Sequence, residues 1–178
     1  TEELYSMEEN IQATRKWSDL RGIAVVSLSD GRKVGTCDDF YFDLTTHRVY
    51  GLRVKTGMFG HKILLAANIS AIGRDAITTP NEEGLRSESE ERQVSKMASG
   101  EALHSYRVMS ASGTLVGTVG NVLLDSSTPT ALSIAAYELT GGLREKLGGH
   151  YPTFPASQVL SYGQDVLVVS DELAQTLH

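Results

Sequence analysis

The sequence predicts a mainly β protein. It consists of two small, strongly bent antiparallel β-barrel modules, with short N- and C-terminal helices and an acidic linker between the modules. The first observation is an internal echo: DGRKVGT at 30–36 returns as SGTLVGT at 112–118, with four identities at one offset of 82 positions. The second is a series of short apolar segments separated by Gly and Asp turns, which is typical of closely spaced strands. The third is a change to Glu-, Ser- and Arg-rich composition after Pro80. Repetition on this scale indicates a duplicated module.

These observations divide the chain of 178 residues into four predicted segments. They are a helical arm over 1–16, a first module over 17–80, the linker over 81–103 and a second module over 104–178. Leu4, Met7 and Ile11 recur at helical spacing and predict a helix over 2–14, which either packs on its own barrel or binds a partner. Part of the linker near 90–97 also has helical character, and Ser170 opens a short final helix as its N-cap.

The echo shifts before the end of the second module, where Gly163 lies 90 positions after Gly73. We therefore expect an insertion of 8 residues around Leu139 to Phe154. Its two glycine pairs bracket a short amphipathic piece, which either covers the barrel mouth or is a recognition loop. In this alignment Ala135 and Tyr137 replace Arg53 and Lys55, so an outward polar face becomes apolar. Such a face would be covered by the first copy, a second chain or a partner.

Charge is unevenly distributed along an acidic chain of net charge −6. Residues 20–79 carry a net charge of +3, whereas the segments before and after them are negative. The basic module either docks on its acidic neighbours or meets an acidic partner such as nucleic acid or a protein patch. Overall acidity argues against tight RNA binding.

Eight residues are candidates for partner contact. Five cluster near one hairpin of the first module, and three aromatic residues of the second module would line a pocket between or within barrels. These candidates are Arg53, Lys55, Phe59, His61, Lys62, Tyr137, Tyr151 and Phe154.

The sequence offers no constellation typical of catalysis or metal binding. Cys37 is the single cysteine, and none of the five histidines pairs with another ligand at metal spacing. Asp38 and Asp39 are adjacent in a strand, so their side chains should point to opposite faces. The glycines of 113–120 lack the spacing of a phosphate loop and fit turn and bulge positions better. We therefore predict no enzymatic activity, no metal and no cofactor.

Membrane association is not expected from the residues given. No apolar run approaches the roughly 20 residues of a membrane span. The acidic start lacks a signal-peptide pattern, and one cysteine suits a reducing compartment. We expect a cytoplasmic protein.

The modules resemble the PRC-barrel family. The first copy carries the resemblance in Asp19 to Gly22, Val25-Val26, Asp30-Gly31, Val34-Gly35, Phe40 to Asp43, Ile69, Ile72 and Asp75 to Ile77. The second carries it in Gly113, Val116-Gly117, Val122 to Asp125 and Val159 through Val166. The resemblance implies a small, bent antiparallel barrel used for binding or assembly. The family includes the cytoplasmic domain of the photosynthetic reaction-centre H subunit and the C-terminal domain of a ribosome maturation factor.

The favoured hypothesis is a non-enzymatic protein-binding or assembly module. One alternative is an RNA- or ribosome-associated maturation factor, which the basic hairpin favours. Another is a regulator of a photosynthetic or other electron-transfer complex. Small cores and the apolar face at Tyr137 also suggest a shared interface between modules, or a homodimer.

Overall fold

The computed structural model describes residues 14–141 and 151–177, so most of the predicted helix over 2–14 lies outside the described residues. Two β-sheets, one in each half, dominate the fold. The first half contains β1 (Thr14–Lys16), helix α1 (Trp17–Leu20), β2 (Ala24–Ser27), β3 (Arg32–Phe42), β4 (Val49–Lys55), β5 (His61–Leu65), β6 (Ala71–Ile72), β7 (Ala76–Thr79), β8 (Leu85–Arg86), β9 (Ala98–Ser99) and helix α2 (Gly100–Leu103). The second half contains β10 (Arg107–Ser110), β11 (Leu115–Asp125), β12 (Ser133–Thr140), β13 (Thr153–Pro155), β14 (Val159–Tyr162), β15 (Val166–Val169) and helix α3 (Asp171–Leu177).

The two sheets share one strand order. The first runs β6-β7-β2-β3-β4-β5-β8, and the second runs β14-β15-β10-β11-β12-β13. The prediction of mainly β structure is confirmed. The prediction of purely antiparallel pairing is wrong for one pair in each sheet, because β7 runs parallel to β2 and β15 parallel to β10. Among the described residues, no strand pairing joins the two ends of either sheet into a closed barrel.

The two halves also match at single residues where the backbone is irregular. Gly31 and Gly113 both adopt positive φ, at 66° and 93°, in the turns between the first two strands of each sheet. The long strands bulge at equivalent points, between Cys37 and Asp39 and between Val119 and Asn121. These positions confirm that the glycine-rich echo marks turns and bulges and not a phosphate loop.

The segment that leads into each sheet pairs with the other sheet. Strand β1 lies antiparallel beside β11, and β9 lies antiparallel beside β3. Residues 14–16, predicted as the end of a helical arm, are therefore in a strand. A three-residue strand becomes stable here because an edge of β11 supplies the hydrogen-bond partners that a short isolated segment lacks.

One side-chain oxygen in each long strand binds the short helix that follows the exchanged strand of the other half. Asp39 Oδ1 accepts hydrogen bonds from the backbone N–H groups of Phe40 at 2.8 Å and of Glu101, in α2, at 3.0 Å. Asn121, which lies 82 positions after Asp39, accepts from the N–H groups of Val122 at 2.9 Å and of Ser18, in α1, at 3.3 Å. Each long strand thus binds the opposite lead-in helix through its bulge.

One hydrophobic core runs through both halves. It includes Leu20 of α1 and Leu103 of α2, each 1% exposed or less, together with the inward faces of both sheets. Burying a leucine side chain contributes on the order of 2 kcal/mol. The two short helices therefore pack into the core at the junction of the two sheets.

The third-strand alignment predicted from the sequence is wrong. Arg53 pairs with Asp39, and Glu138 pairs with Asn121, so Glu138 and not Ala135 is the counterpart of Arg53. The register differs because the expected insertion is divided between two places. Part of it lies in a 3₁₀ turn at Pro129–Ala131, which lengthens the loop between β11 and β12, and the remaining inserted residues follow β12. Tyr137 consequently points into the core, with 0% of its surface exposed, and offers no outward apolar face.

The linker packs along the first sheet, and the chain closes with a short helix. The predicted helical part of the linker is a 3₁₀ helix at Arg92–Lys96, and both ends of the linker pair with the first sheet through β8 and β9. The final helix is confirmed: Ser170 Oγ accepts a hydrogen bond from the N–H of Leu173 at 3.1 Å.

Gly100 provides a test of the packing between α2 and the first sheet. A Cβ atom at this position would overlap the Phe40 ring. We predict that Gly100→Ala destabilises the protein by about 1–3 kcal/mol through overpacking, despite the better helix propensity of alanine. The cost should shrink by at least about 1 kcal/mol in a Phe40→Leu background, since the smaller side chain frees the space. Urea unfolding of the four proteins measures this cycle, and an equal cost in both backgrounds would refute the contact.

Tyr137 provides a second test. Its hydroxyl lies 2.8 Å from the Tyr162 hydroxyl, and its ring lies 5.5 Å from that of Phe154. Tyr137→Asp should cost about 4 kcal/mol or more, because it buries a carboxyl group and leaves a cavity. Tyr137→Phe should cost only about 1 kcal/mol, the value of one hydrogen bond. Thermal melting separates the two, and an unchanged melting temperature for Tyr137→Asp would contradict a core position.

Candidate functional site

The hairpin of β4 and β5 presents the most exposed apolar residues among those described. Its loop is closed by a hydrogen bond from the Thr56 N–H to the Gly60 carbonyl at 2.9 Å. Met58 and Phe59 at its tip are 83% and 91% exposed. Together they form a contiguous exposed apolar patch, and such patches on a protein surface commonly mark a contact site.

Five of the eight predicted contact residues lie on this hairpin, as expected. Lys55 is directly opposite His61 in the strand register, and Arg53 shares the same face two residues earlier. Lys55 and Lys62 are exposed beside the tip. Sequence reasoning identified Phe59 but missed Met58, although the glycine-bracketed GMFG loop contains both residues.

The charge of this face is smaller than its sequence indicates, because Asp38 engages two of its basic groups. Arg53 donates from Nε and Nη2 to Asp38 Oδ2, at 3.0 and 2.6 Å, and His61 Nε2 lies 3.4 Å from the same oxygen. Burial acts to raise the Asp38 pKa, but the hydrogen bond and charge of Arg53 outweigh it and leave that pKa lowered. Asp38 is thus ionised at neutral pH and neutralises Arg53.

The bulge in β3 makes this ion pair possible. Asp39 pairs with Arg53 in the register, whereas Asp38 occupies the bulge beside it. The two carboxylates have separate hydrogen-bond partners: Asp38 binds side chains, and Asp39 binds backbone amides. Burial raises the Asp39 pKa in spite of its two amide hydrogen bonds.

The other three predicted residues do not join this surface. Phe154 is 1% exposed and packs with Tyr137 in the core of the second half, and Tyr151 is half-buried. The equivalent face of the second sheet also has the opposite charge: Glu138 replaces Arg53, and Lys16 Nζ of β1 lies 3.1 Å from its Oε1. The basic hairpin therefore belongs to the first half alone.

A second feature is a cleft between the two halves. The sequence suggested a pocket between or within barrels but assigned Tyr137, Tyr151 and Phe154 to it, and none of these lines the cleft. The cleft has a volume of about 360 Å³ and is lined by Leu44, Thr45, His47, Val159, Leu160, Ser161 and Tyr162. His47 adopts a positive φ of 62°, and its ring lies 5.7 Å from the Tyr162 ring. Burial lowers the His47 pKa, against the opposing charge of Asp43, so its imidazole is neutral at pH 7. We name this feature the inter-sheet cleft.

Two observations on the described residues concern metal binding and thiol reactivity. No three His, Cys, Asp or Glu side chains among them lie close enough to hold a metal ion. Cys37 is buried, and burial, with the charges of Asp39 and Asp38, raises its pKa to about 12. A thiol with such a pKa stays protonated at neutral pH. Within the same residues, no helix has the length and apolar character needed to cross a membrane.

Comparison with known proteins agrees with this architecture. The model of the PRC-barrel domain matches residues 14–86, which cover β1 to β8. No curated protein matches the chain. The match begins at β1, so it includes the segment that pairs with the second sheet. Residues 14–86 therefore belong to the PRC-barrel domain family, which is a family of non-catalytic modules.

Proposed function

We propose that the chain is a protein-binding or assembly module made of two PRC-barrel copies, and that it contacts its partner through the tip of the β4–β5 hairpin. The exposure of Met58 and Phe59 carries this proposal. A methionine beside an aromatic residue is suited to contact with another protein, because each of these side chains can bury a large area in an interface.

The second half supports the tandem part of the proposal. It repeats the strand order, the parallel pair and the long-strand bulge of the matched segment. The shared core also indicates that the two copies stabilise one another. Each copy alone is close to the smallest size at which a domain forms an independent core.

The chemistry around the tip defines the kind of partner. Lys55 and Lys62 flank an apolar pair, while Asp38 neutralises Arg53. Such a surface complements an apolar pocket with an acidic rim on another protein. The buried, protonated Cys37 thiol is compatible with work in the cytoplasm, which we retain as the proposed location.

A second candidate is contact with RNA or the ribosome. Phe59 is available for stacking on a base, and the two lysines beside it could meet phosphates. Co-sedimentation with ribosomal subunits that weakens with added salt would favour this candidate over a protein partner.

Affinity purification from the host, under mild conditions, tests the proposal. The wild-type protein should retain a partner protein in stoichiometric amount, and a Met58→Ser, Phe59→Ser double variant should lose it by about tenfold or more, as expected for two interface anchors. Leu28→Ser is the matched control, because Leu28 is also exposed, at 57%, but lies in the β2–β3 turn. Light scattering then shows whether the partner is a second copy of this chain.

Recovery of the wild-type protein as a lone monomer would contradict the assembly function. Equal retention of the partner by the double variant and by Leu28→Ser would leave assembly intact but exclude the hairpin tip as the contact.

A further inference from the structure

In the first sheet, the turn equivalent to one wall of the inter-sheet cleft binds an arginine of the chain itself. Arg15, on β1, donates from Nη1 to the carbonyl oxygens of Ile72 at 3.3 Å and of Gly73 at 2.9 Å. This guanidinium bridges the two halves, because β1 pairs with the second sheet whereas Ile72 and Gly73 belong to the first.

Strand registers identify the equivalent of Arg15. Arg15 pairs with Leu124 of β11, and Ala98 pairs with Phe42 of β3. Phe42 and Leu124 are 82 positions apart and occupy the same place in their sheets. Ala98 is therefore the counterpart of Arg15, and its side chain ends at Cβ.

The carbonyls that Arg15 binds also have counterparts. Ile72 pairs with Ile77, and Tyr162 pairs with Leu167 in the equivalent strands. Both turns that follow have the same hydrogen bond, from Gly73 N–H to the Ala76 carbonyl and from Gly163 N–H to the Val166 carbonyl. Tyr162 lines the inter-sheet cleft, whereas Ala98 and Gly163 do not. The equivalence with Arg15 therefore directs an arginine at position 98 toward this cleft.

The walls of the cleft suit the side chain that is missing. Leu160 and Leu44, 62% and 38% exposed, can cover the methylene groups of an arginine. Tyr162 offers an aromatic face to a guanidinium, and the neighbouring imidazole of His47 carries no opposing charge.

We propose that the inter-sheet cleft binds an arginine side chain of a partner protein, which takes the place that Arg15 occupies in the first half. The partner's guanidinium donates to the carbonyls of Tyr162 and Gly163, and its stem packs on Leu160. The inference rests on the proposed assembly function, for which it supplies a second and more specific contact.

Titration with Nα-acetyl-arginine methylamide, followed by amide chemical shifts, tests the site on the full chain. The wild-type protein should show one saturable set of shifts, around His47, Ser161 and Tyr162. The neutral citrulline analogue should bind about tenfold more weakly or not at all, because it lacks the charge. Ala98→Arg should abolish the shifts by filling the cleft from within.

Arg15→Ala gives the opposite change and does not depend on the folding of Ala98→Arg. It empties the first-half counterpart, so a second set of shifts should appear around Ile72 and Gly73. Ala98→Gln is the control for side-chain bulk without charge and should reduce binding less than Ala98→Arg.

Absence of saturable shifts around Tyr162 in the wild-type protein would overturn the inference, as would equal binding of the citrulline analogue. If a co-purified partner is retained equally by the wild type and by folded Ala98→Arg, the cleft is not its contact, although the assembly function stands. Loss of the partner from Ala98→Arg alone supports the cleft.

Discussion

The fold depends on a reciprocal exchange of lead-in segments, each held by one side-chain oxygen. Asp39 binds the first turn of α2, and Asn121 binds the first turn of α1, at equivalent bulges of the two long strands. A bulge leaves backbone N–H groups outside the strand ladder, and a side-chain acceptor at that point can satisfy them together with a helix N-terminus. Because both oxygens act between the halves, we expect the two sheets to unfold as one cooperative structure.

Local sequence patterns were sufficient to predict several turns and strands that recur in the two halves. The turns at Gly31 and Gly113, the strands that follow them and the N-cap at Ser170 all depend on local rules of backbone conformation. The exchange of β1 and β9 was not predictable in the same way. Pairing between segments that are 56 to 111 residues apart depends on the complete surface of both sheets, and β1 has only three residues to signal it.

The candidate site shows the same division. An exposed aromatic residue between glycines and lysines is visible in the sequence, and Phe59 was found by that signal. The neutralisation of Arg53 by Asp38 required the bulge, and the burial of Tyr137 required the true register after the Pro129–Ala131 turn. The inter-sheet cleft combines a turn of the first half with a strand of the second, so no single stretch of sequence marks it.

Native-state hydrogen exchange at increasing urea concentrations tests the interlocked fold most directly. Amides of β3 and β11 should share one opening free energy and converge on one global unfolding transition, because neither sheet keeps its edge without the other's lead-in segment. Trp17 fluorescence should follow the same transition. Opening of the second half at a clearly lower free energy than the first would contradict the account, since it would show two sheets that are adjacent but independent.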